Sequence, residues 1–227
     1  MELREKEAFL SQSQDALSAI YDQIAKAPVL DWQELDASRT AVLVLDMING
    51  FAKEGALSSP RVEAILGETA RLCSEAKALG LSIVAFADEH TQASPEFASF
   101  PVHCLKDTAE SAICQQLEAV GGYERIGKNS TNGFLEPAFA RWLSEHEAID
   151  RFVLIGDCTD ICVLQMAQTL KAWFNRADRP SRLIVPVSAV ETYTLGEHDG
   201  DLLNVMGLYL MTVSGIEIVQ TIKAQRA

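Results

Sequence analysis

The stretch 153-VLIGDCTDICVLQ-165 joins an apolar run to a helical pattern and contains two of the five cysteines of the chain. The run before Gly156 lacks polar alternation, which is typical of a strand covered by helices on both faces of a parallel sheet. Cys158 and Cys162 follow at the junction. From the pattern alone they are a redox pair, half of a metal site, two small core residues, or one nucleophile beside a bystander.

The same alternation of apolar runs and helical periodicity recurs along the chain. It predicts a three-layer α/β/α domain with a mainly parallel, Rossmann-like central sheet. Strands are predicted at 40–46, 81–88, 123–128, 151–157, 182–187 and, more weakly, 216–220, with helices over 62–80 and 109–120 between the first of them. In such sheets ligands bind beyond the carboxyl ends of the strands.

The first residues form a separate pattern. Phe9, Leu10, Leu17, Ile20, Tyr21 and Ile24 recur at roughly helical spacing, and Pro28 then breaks the pattern. We therefore predict an amphipathic helix over about residues 3–26, in an N-terminal extension (1–38) that precedes the main domain (39–227). The extension is expected to pack on the domain or on another subunit.

Composition limits the possible functions. The chain has 227 residues, 48% of them hydrophobic, and a net charge of −13 without a Lys/Arg block, so neither nucleic acid nor an anionic membrane is an expected partner. No apolar run approaches the roughly 18 residues of a membrane span, and charges replace the apolar region of a signal peptide. A small molecule or a protein is the more expected partner, and five cysteines, too few for a disulfide framework, favour a cytoplasmic protein. Neither GxGxxG nor a P-loop motif occurs.

Chemically active side chains lie at the carboxyl ends of successive predicted strands. In order they are Asp46, Asp88 with His90, Lys128, and the turn 157–162. Each has a plain alternative, because an Asp after a strand is often a helix cap, a lone Lys a solvated charge, and a Cys a small core residue. Together, however, an acid, an amine and a thiol at one sheet edge provide the parts of nucleophilic amide hydrolysis.

Cys162 is the candidate nucleophile of this set. It is predicted in the first turn of a helix that begins near Thr159 or Asp160, where the helix dipole and the ammonium of Lys128 both favour a thiolate. Asp46 is placed to accept the thiol proton and deliver it to a leaving amine. Backbone N–H groups of the turn would hold the oxyanion.

The segment 88-DEHTQASPEFASFPVHC-104 contains half of the four histidines. An Asp-x-His followed by another acid and a His offers oxygen and imidazole ligands suited to Zn²⁺, Mn²⁺ or Fe²⁺. A polar surface loop with a capping Asp and two exposed histidines explains the spacing equally well. Both interpretations stay open, whereas His146 and His198 are predicted to be surface residues.

Three segments resemble a known family. "VLDMINGF" (44–51), "GKNSTNGF" (127–134) and "IGDCTDICV" (155–163) are similar to the signatures of the isochorismatase-like cysteine hydrolases, which include nicotinamidases, N-carbamoyl amidases and isochorismatases. The resemblance runs from about Thr40 to Val219. It implies an isochorismatase-like fold for 39–227, with Asp46 as general acid/base, Lys128 as the orienting charge and Cys162 as nucleophile.

The resemblance also implies a cis peptide bond at Asp157–Cys158 and an oxyanion hole made by the backbone N–H groups of Cys158 and Cys162. Cys158 would then contribute its backbone and not its sulfur. Members of the family are commonly dimers or tetramers, so a homo-oligomer is expected.

The 88–104 loop resembles the nicotinamidase branch, which implies a divalent metal, zinc foremost. The implied ligands are Asp88, His90, Glu96 and His103, and the implied aromatic contacts to the substrate ring are Phe51 and Phe100. This sequence departs from the nicotinamidase pattern at two places that bear on substrate identity. The family's D-x-Q-N-D-F motif reads D-M-I-N-G-F at 46–51, and Phe100 stands where nicotinamidases commonly have Trp.

The resulting hypothesis is metal-assisted hydrolysis of nicotinamide to nicotinate and ammonia through a Cys162 thioester. The first alternative is metal-free hydrolysis of another amide, an N-carbamoyl compound or a vinyl ether. A more distant alternative is a non-catalytic binding or redox protein that uses Cys158 and Cys162 as a dithiol.

Overall fold

A parallel β-sheet forms the centre of the computed structural model, which describes residues 5–223. The strands are β1 (Thr40–Leu45), β2 (Ser82–Asp88), β3 (Glu124–Lys128), β4 (Arg151–Asp157), β5 (Arg182–Pro186), β6 (Val190–Glu191) and β7 (Glu217–Val219). Their order is β3-β2-β1-β4-β5-β7, with the short β6 beside β4. Every pairing among these strands is parallel, so the predicted sheet is confirmed.

Eight α-helices accompany the sheet in the described part of the chain. They are α1 (Lys6–Ala25), α2 (Asn49–Ala52), α3 (Pro60–Ala64), α4 (Leu66–Ala78), α5 (Gln115–Val120), α6 (Pro137–Glu145), α7 (Leu164–Arg176) and α8 (Gly200–Val213). The helix predicted over 62–80 is divided at Ile65, between α3 and α4.

The helix predicted over 109–120 is wrong in its first half, since only Gln115–Val120 is helical. The backbone carbonyls of Glu110 and Ala112 accept hydrogen bonds from Gly50 and Asn49 of α2, at 2.8 and 2.9 Å. These tertiary bonds use the acceptors that a helix would need for itself.

Alternate side chains of each strand enter two separate cores, one on each face of the sheet. Residues of the first core, which α4 covers, include Val42, Val44, Ile83, Ala85, Val153 and Ile155. Residues of the second, which α6, α7 and α8 cover, include Ala41, Leu43, Leu45, Val84, Phe86 and Leu154. Burial on both faces explains why the strands lack polar alternation, and each large apolar side chain removed from water contributes about 1.5–3 kcal/mol.

Helix α1 packs against α8 and buries Ile24 in the second core. The described helix covers nearly all of the predicted range 3–26, of which residues 3 and 4 lie outside the described residues. Phe9, Leu10 and Tyr21 are exposed, and self-association stays a prediction. The division into 1–38 and 39–227 also stays a prediction, and its ends, 1–4 and 224–227, lie outside the described residues. No helix within residues 5–223 has the length and apolar character to cross a membrane.

The strand register brings the functional candidates to one edge. Lys128 pairs with Asp88 across β2 and β3, and Leu45, just before Asp46, pairs with Phe86 and Gly156. Gly156 has φ 115°, and a Cβ there would lie 2.0 Å from the carbonyl oxygen of Leu45. Only glycine therefore allows β1 and β4 to approach at this point.

Candidate active site

Lys128 lies at the centre of the candidate site, with no exposed side-chain surface. Its Nζ is 2.8 Å from Oδ2 of Asp46, donates a hydrogen bond to Oδ1 of Asp88, and lies 3.8 Å from Sγ of Cys162. Burial lowers the pKa of the Lys128 ammonium, but the carboxylates of Asp46 and Asp88 outweigh it and hold that pKa well above its usual value. The alternative of a solvated lysine is therefore excluded.

Asp46 follows β1 in the left-handed region, with φ 53°. Aspartate tolerates this conformation better than most residues do. The carboxylate is fixed because Oδ1 accepts a hydrogen bond from the backbone N–H of Asp88 at 3.0 Å. Burial raises the pKa of Asp46 to about 7, against the lowering effect of Lys128. An acid with such a pKa can both accept and release a proton near neutral pH.

Cys162 is buried in a turn, Thr159–Val163, that precedes α7. The turn is wider than an α-helical turn, because the N–H of Val163 donates to the carbonyl of Cys158, five residues earlier, at 3.1 Å. Burial raises the pKa of the Cys162 thiol well above its usual value, although the charge of Lys128 lowers it. Lys128 thus favours the thiolate as predicted, but burial outweighs this effect, and the thiol needs a base.

The Asp157–Cys158 peptide bond is cis, as the resemblance predicts. The buried sulfur of Cys158 lies 3.7 Å from Oδ2 of Asp157. All five cysteines are free, so Cys158 and Cys162 do not form a disulfide here.

A buried group of three residues with metal-ligating side chains adjoins Lys128. The ligand atoms of Asp88, His90 and His103 lie within 4.8 Å of one another. Oδ2 of Asp88 is 3.5 Å from Nε2 of His90 and 3.9 Å from Nε2 of His103. Nδ1 of His103 donates to the carbonyl of Pro101 at 2.8 Å, which leaves its Nε2 lone pair facing the group.

The donor set fits a divalent cation. Nε2 of His90 is buried and has no hydrogen-bond partner among the described residues, although an unpaired buried nitrogen is costly. One carboxylate and two imidazoles are ligands that zinc, manganese and ferrous iron accept.

Glu96, the fourth predicted ligand, lies beside this group rather than in it. Its Oε1 accepts a hydrogen bond from the backbone N–H of Thr131 at 2.9 Å. Its Oε2 is buried without a hydrogen-bond partner in the described chain and lies 3.8 Å from Nε2 of His90. The structure thus brings three of the four predicted ligands together and leaves Glu96 at their border.

A small cavity opens above these groups. Its lining includes Phe51, Leu57, Asp88, Glu96, Phe100, His103, Thr131, Cys158, Ile161, Cys162 and Tyr193. Both predicted aromatic contacts therefore line it, and the Phe51 and Phe100 rings pack on His103 with centroids 5.7 and 6.1 Å apart.

Four lining residues were missed by the sequence analysis: Leu57, Thr131, Ile161 and Tyr193. Thr131 and Ile161 lie inside the segments 127–134 and 155–163, which carry the family resemblance. Their position in those segments could have indicated that they lie near the site. Tyr193 lies in 188-SAVETYTLGEH-198, which resembles the family's segment after the fifth strand, where residues 188–194 usually support the site; the resemblance assigns no chemistry to it.

Two histidines predicted at the surface are half-buried instead. His146 stacks on Trp142 with centroids 4.2 Å apart, and its Nδ1 donates to the Trp142 carbonyl at 2.8 Å. His198 is paired with Asp160, at 2.9 Å. The prediction is wrong for both because aromatic stacking and a charged partner compensate their burial.

The departure at Gly50 has a structural reason. A Cβ at this position would lie 2.4 Å from Sγ of the buried Cys104. The acid that the family has at this place would therefore overlap with the Cys104 side chain.

A family model described as the isochorismatase domain matches residues 40–215, which is most of the chain. The chain belongs to the isochorismatase family. The matched range contains Asp46, Lys128, Cys162 and all three members of the buried metal-ligand group. The protein is accordingly an isochorismatase-family hydrolase.

Known members of the isochorismatase family are similar to this chain at modest identity. Nicotinamidase 1 of Arabidopsis thaliana is 25% identical over 241 residues, covering 89% of this chain and 96% of that protein. The N-carbamoylsarcosine amidase structure from Thermoplasma acidophilum is 25% identical, with TM-score 0.66, covering 80% of this chain and 96% of that one. A zinc complex of the Pyrococcus horikoshii pyrazinamidase is 23% identical, with TM-score 0.66 and coverage of 80% and 99%, and shows the fold.

Proposed function

We propose that the protein hydrolyses a small aromatic carboxamide, nicotinamide, to nicotinate and ammonia. The observation that carries the proposal is that Lys128 joins two groups. It contacts Asp46 and Cys162 on one side and, through Asp88, the buried Asp88–His90–His103 group on the other. Cys162, Asp88 and His103 also line the same cavity, which supports a shared role for the proposed nucleophile and the proposed metal ligands.

Cys162 is the proposed nucleophile, and Asp46 is the base that accepts its S–H proton. The sulfur attacks the carboxamide carbon, and the carbonyl oxygen becomes an oxyanion held by the backbone N–H groups of Cys158 and Cys162. Asp46 returns its proton to the leaving nitrogen. The C–N bond then breaks, ammonia departs, and the acyl group remains on Cys162 as a thioester.

A water molecule completes the reaction. Asp46 takes a proton from the water while the water oxygen attacks the thioester carbon. The C–S bond breaks, the carboxylic acid product forms, and Asp46 returns the proton to the sulfur. Lys128 keeps its ammonium throughout, because it is 2.8 Å from Asp46 and 3.8 Å from the sulfur and so stabilises negative charge on either.

The cavity walls favour a flat acyl group. Phe51 and Phe100 both line the cavity beside His103, so a substrate ring entering it would contact aromatic faces.

Asp88, His90 and His103 would hold a divalent cation, and zinc fits their oxygen and imidazole donors. When bound there, the cation would supply Lewis acidity toward a pyridine nitrogen. The zinc complex of the Pyrococcus horikoshii pyrazinamidase supports this choice for a protein of the same fold.

Ammonia and nicotinate formation from nicotinamide tests the proposal, with the wild type and Cys162→Ala purified in parallel. We expect turnover by the wild type and none by the variant. Rapid acid quenching should also yield a wild-type protein mass increased by one acyl group, mapped to the Cys162 peptide. A wild type that forms no nicotinate would refute the substrate.

A second candidate is an N-carbamoyl amide, because the N-carbamoylsarcosine amidase structure matches this chain at the same identity as the plant nicotinamidase. The experiment is a substrate panel with aromatic carboxamides, N-carbamoyl compounds and vinyl ethers, repeated with His103→Ala. Turnover of a carbamoyl compound that is unaffected by chelators and by the substitution would favour this candidate over the first.

A further inference from the structure

The segment between β6 and α8 forms one side of the candidate substrate cavity. Tyr193 lines the cavity together with Cys162. Two backbone hydrogen bonds between Leu195 and His198, at 3.0 and 3.1 Å, close a tight turn around Gly196, whose φ is 58°. The turn brings His198 back under Tyr193, so the two side chains meet.

His198 touches Tyr193 twice. The two rings stack with centroids 4.0 Å apart and planes inclined by 9°. Nδ1 of His198 donates a hydrogen bond to the backbone carbonyl of Tyr193 at 2.9 Å. The ring of Tyr193 thus has a fixed support on the face that His198 covers.

The other nitrogen of His198 reaches the turn that contains Cys162. Nε2 lies 2.9 Å from Oδ2 of Asp160, two residues before Cys162. Nδ1 of His198 carries a proton, because the carbonyl of Tyr193 only accepts hydrogen bonds. Through its two ring nitrogens His198 thus joins the backbone of Tyr193 to the side chain of Asp160.

Asp160 depends on this contact. Its side chain is 13% exposed, and its Oδ1 is buried without a hydrogen-bond partner in residues 5–223. Gly207 of α8 also packs on Asp160, since a Cβ at Gly207 would lie 3.0 Å from its Cα. His198 is therefore the side chain that offsets the burial of this carboxyl group through its contact with Oδ2.

Arg61 fixes the same segment at its two ends. Its Nε donates to the carbonyl of Thr192 at 3.1 Å, and its guanidinium contacts Glu191 at 3.0 Å and Asp201 at 2.8 Å. The acids at both ends of the segment are thus already paired with Arg61. Between them, the Thr194 hydroxyl accepts a hydrogen bond from the Gly200 N–H at 3.0 Å, and His198 attaches the segment to Asp160.

We propose that His198 is a positioning residue, which holds Tyr193 in place as a wall of the substrate cavity and thereby sets the affinity for the acyl group. His198 does not touch the cavity itself and acts through Tyr193. The inference rests on the proposed function only in that the acyl group is taken to be aromatic.

A double-mutant cycle with nicotinamide tests this inference. We expect His198→Ala and Tyr193→Ala each to raise KM about tenfold with kcat changed less than about threefold, because each removes the wall and leaves the nucleophile. The combined variant should again show about a tenfold increase, since the second change removes nothing further. Glu197→Ala, on the exposed part of the same segment, is the matched control and should resemble the wild type.

A KM increase of about a hundredfold in the double variant would overturn the inference. Such an increase is expected if the two side chains contribute independently, because independent contributions add in free energy. A loss of kcat at unchanged KM would also overturn it. His198→Gln, which keeps one N–H donor, should fall between the wild type and His198→Ala.

Labelling of Cys162 with iodoacetamide gives a readout that does not require the substrate. Peptide mass spectrometry should show labelling on the order of threefold faster or more in both single variants, with no further gain in the double variant. If the wild type does not hydrolyse nicotinamide, the proposed function fails, and this labelling pattern still decides the role of His198. Wild-type labelling rates in His198→Ala would refute that role.

Discussion

Nζ of Lys128 lies 2.8 Å from Oδ2 of Asp46, and neither side chain has any exposed surface. A buried ion pair is held in place only if further hydrogen bonds offset its desolvation. Here the same ammonium also donates to Asp88, so one cation compensates two buried carboxylates. The excess negative charge contributes to the raised pKa of Asp46, which suits an acid/base role.

Lys128→Met is expected to abolish function and to destabilise the fold. Without the ammonium, Asp46 and Asp88 remain buried without a counter-charge, which costs about 3–5 kcal/mol in comparable cases. The value of kcat/KM should fall by at least about 10³-fold, since the charge near the nucleophile and the orientation of the base are lost together. Steady-state kinetics and urea unfolding measure the two effects. Lys6→Met, at an exposed position of α1, is the control, and activity retained in Lys128→Met would contradict the assignment.

Cys158 and Cys162 should respond differently to the same substitution. Cys158→Ala keeps the backbone N–H proposed for the oxyanion hole, so substantial activity should remain. Cys162→Ala removes the nucleophile and should leave no turnover. Both residues line the same cavity, which makes each the control for the other. Equal loss from the two substitutions would contradict the asymmetric roles, and a disulfide formed on mild oxidation with no amide hydrolysis would favour the dithiol alternative.

The sheet could be predicted from the sequence because its physical cause is local. Strands buried on both faces require uninterrupted apolar runs such as 40–46, and those runs match the described strands within one or two residues. The helix predicted over 109–120 failed where bonds to α2 took the backbone acceptors. Such bonds join residues distant in sequence, so periodicity carries no record of them.

The candidate site was predictable where side chains follow strands, as for Asp46, Asp88 and Lys128. The raised pKa of Cys162 could not be predicted in this way. Its position in the turn and the charge of Lys128 favour the thiolate, but burial and the nearby carboxylates together outweigh them. Tyr193 and His198 were missed for a related reason. Their contact depends on a turn around Gly196, whose three-dimensional path the residue pattern does not specify.

Metal content should depend on the two histidines of the buried group. Elemental analysis of the purified protein should find about one divalent ion per chain in the wild type and a large loss in His90→Ala and His103→Ala, because each removes one of three ligands. His146→Ala is the matched control, since His146 stacks on Trp142 instead. A wild type that takes up no zinc after chelation and reconstitution would exclude the metal site.

The Glu96→Gln variant tests whether Glu96 is a metal ligand or only lies beside the three ligands. Oε1 of Glu96 accepts a hydrogen bond from Thr131, and a glutamine oxygen can preserve that contact. We expect the metal content to remain and zinc affinity, measured by competition with a chelator, to fall less than in His103→Ala. A loss as large as that of His103→Ala would make Glu96 the fourth ligand that the resemblance implies.

Gly50→Ala should destabilise the protein through a steric overlap beside the candidate site. The added Cβ would lie 2.4 Å from Sγ of Cys104 and 3.1 Å from the carbonyl oxygen of Glu110. Overpacking of this kind typically costs about 1–3 kcal/mol, which urea unfolding can measure. Gly67→Ala is the matched control, because nothing lies within 4 Å of its added Cβ in α4 and the helix should gain up to about 1 kcal/mol.

Cys104→Ala combined with Gly50→Ala tests the cause of that cost. Removing the sulfur opens the space that the new Cβ needs, so the double variant should be more stable than the sum of the single effects predicts. Additive effects would mean that the Glu110 carbonyl, not Cys104, excludes a side chain at this position. In either case an acid at position 50 would need space that Cys104 and Glu110 occupy, so glycine fits this position and the second acid of D-x-Q-N-D-F does not.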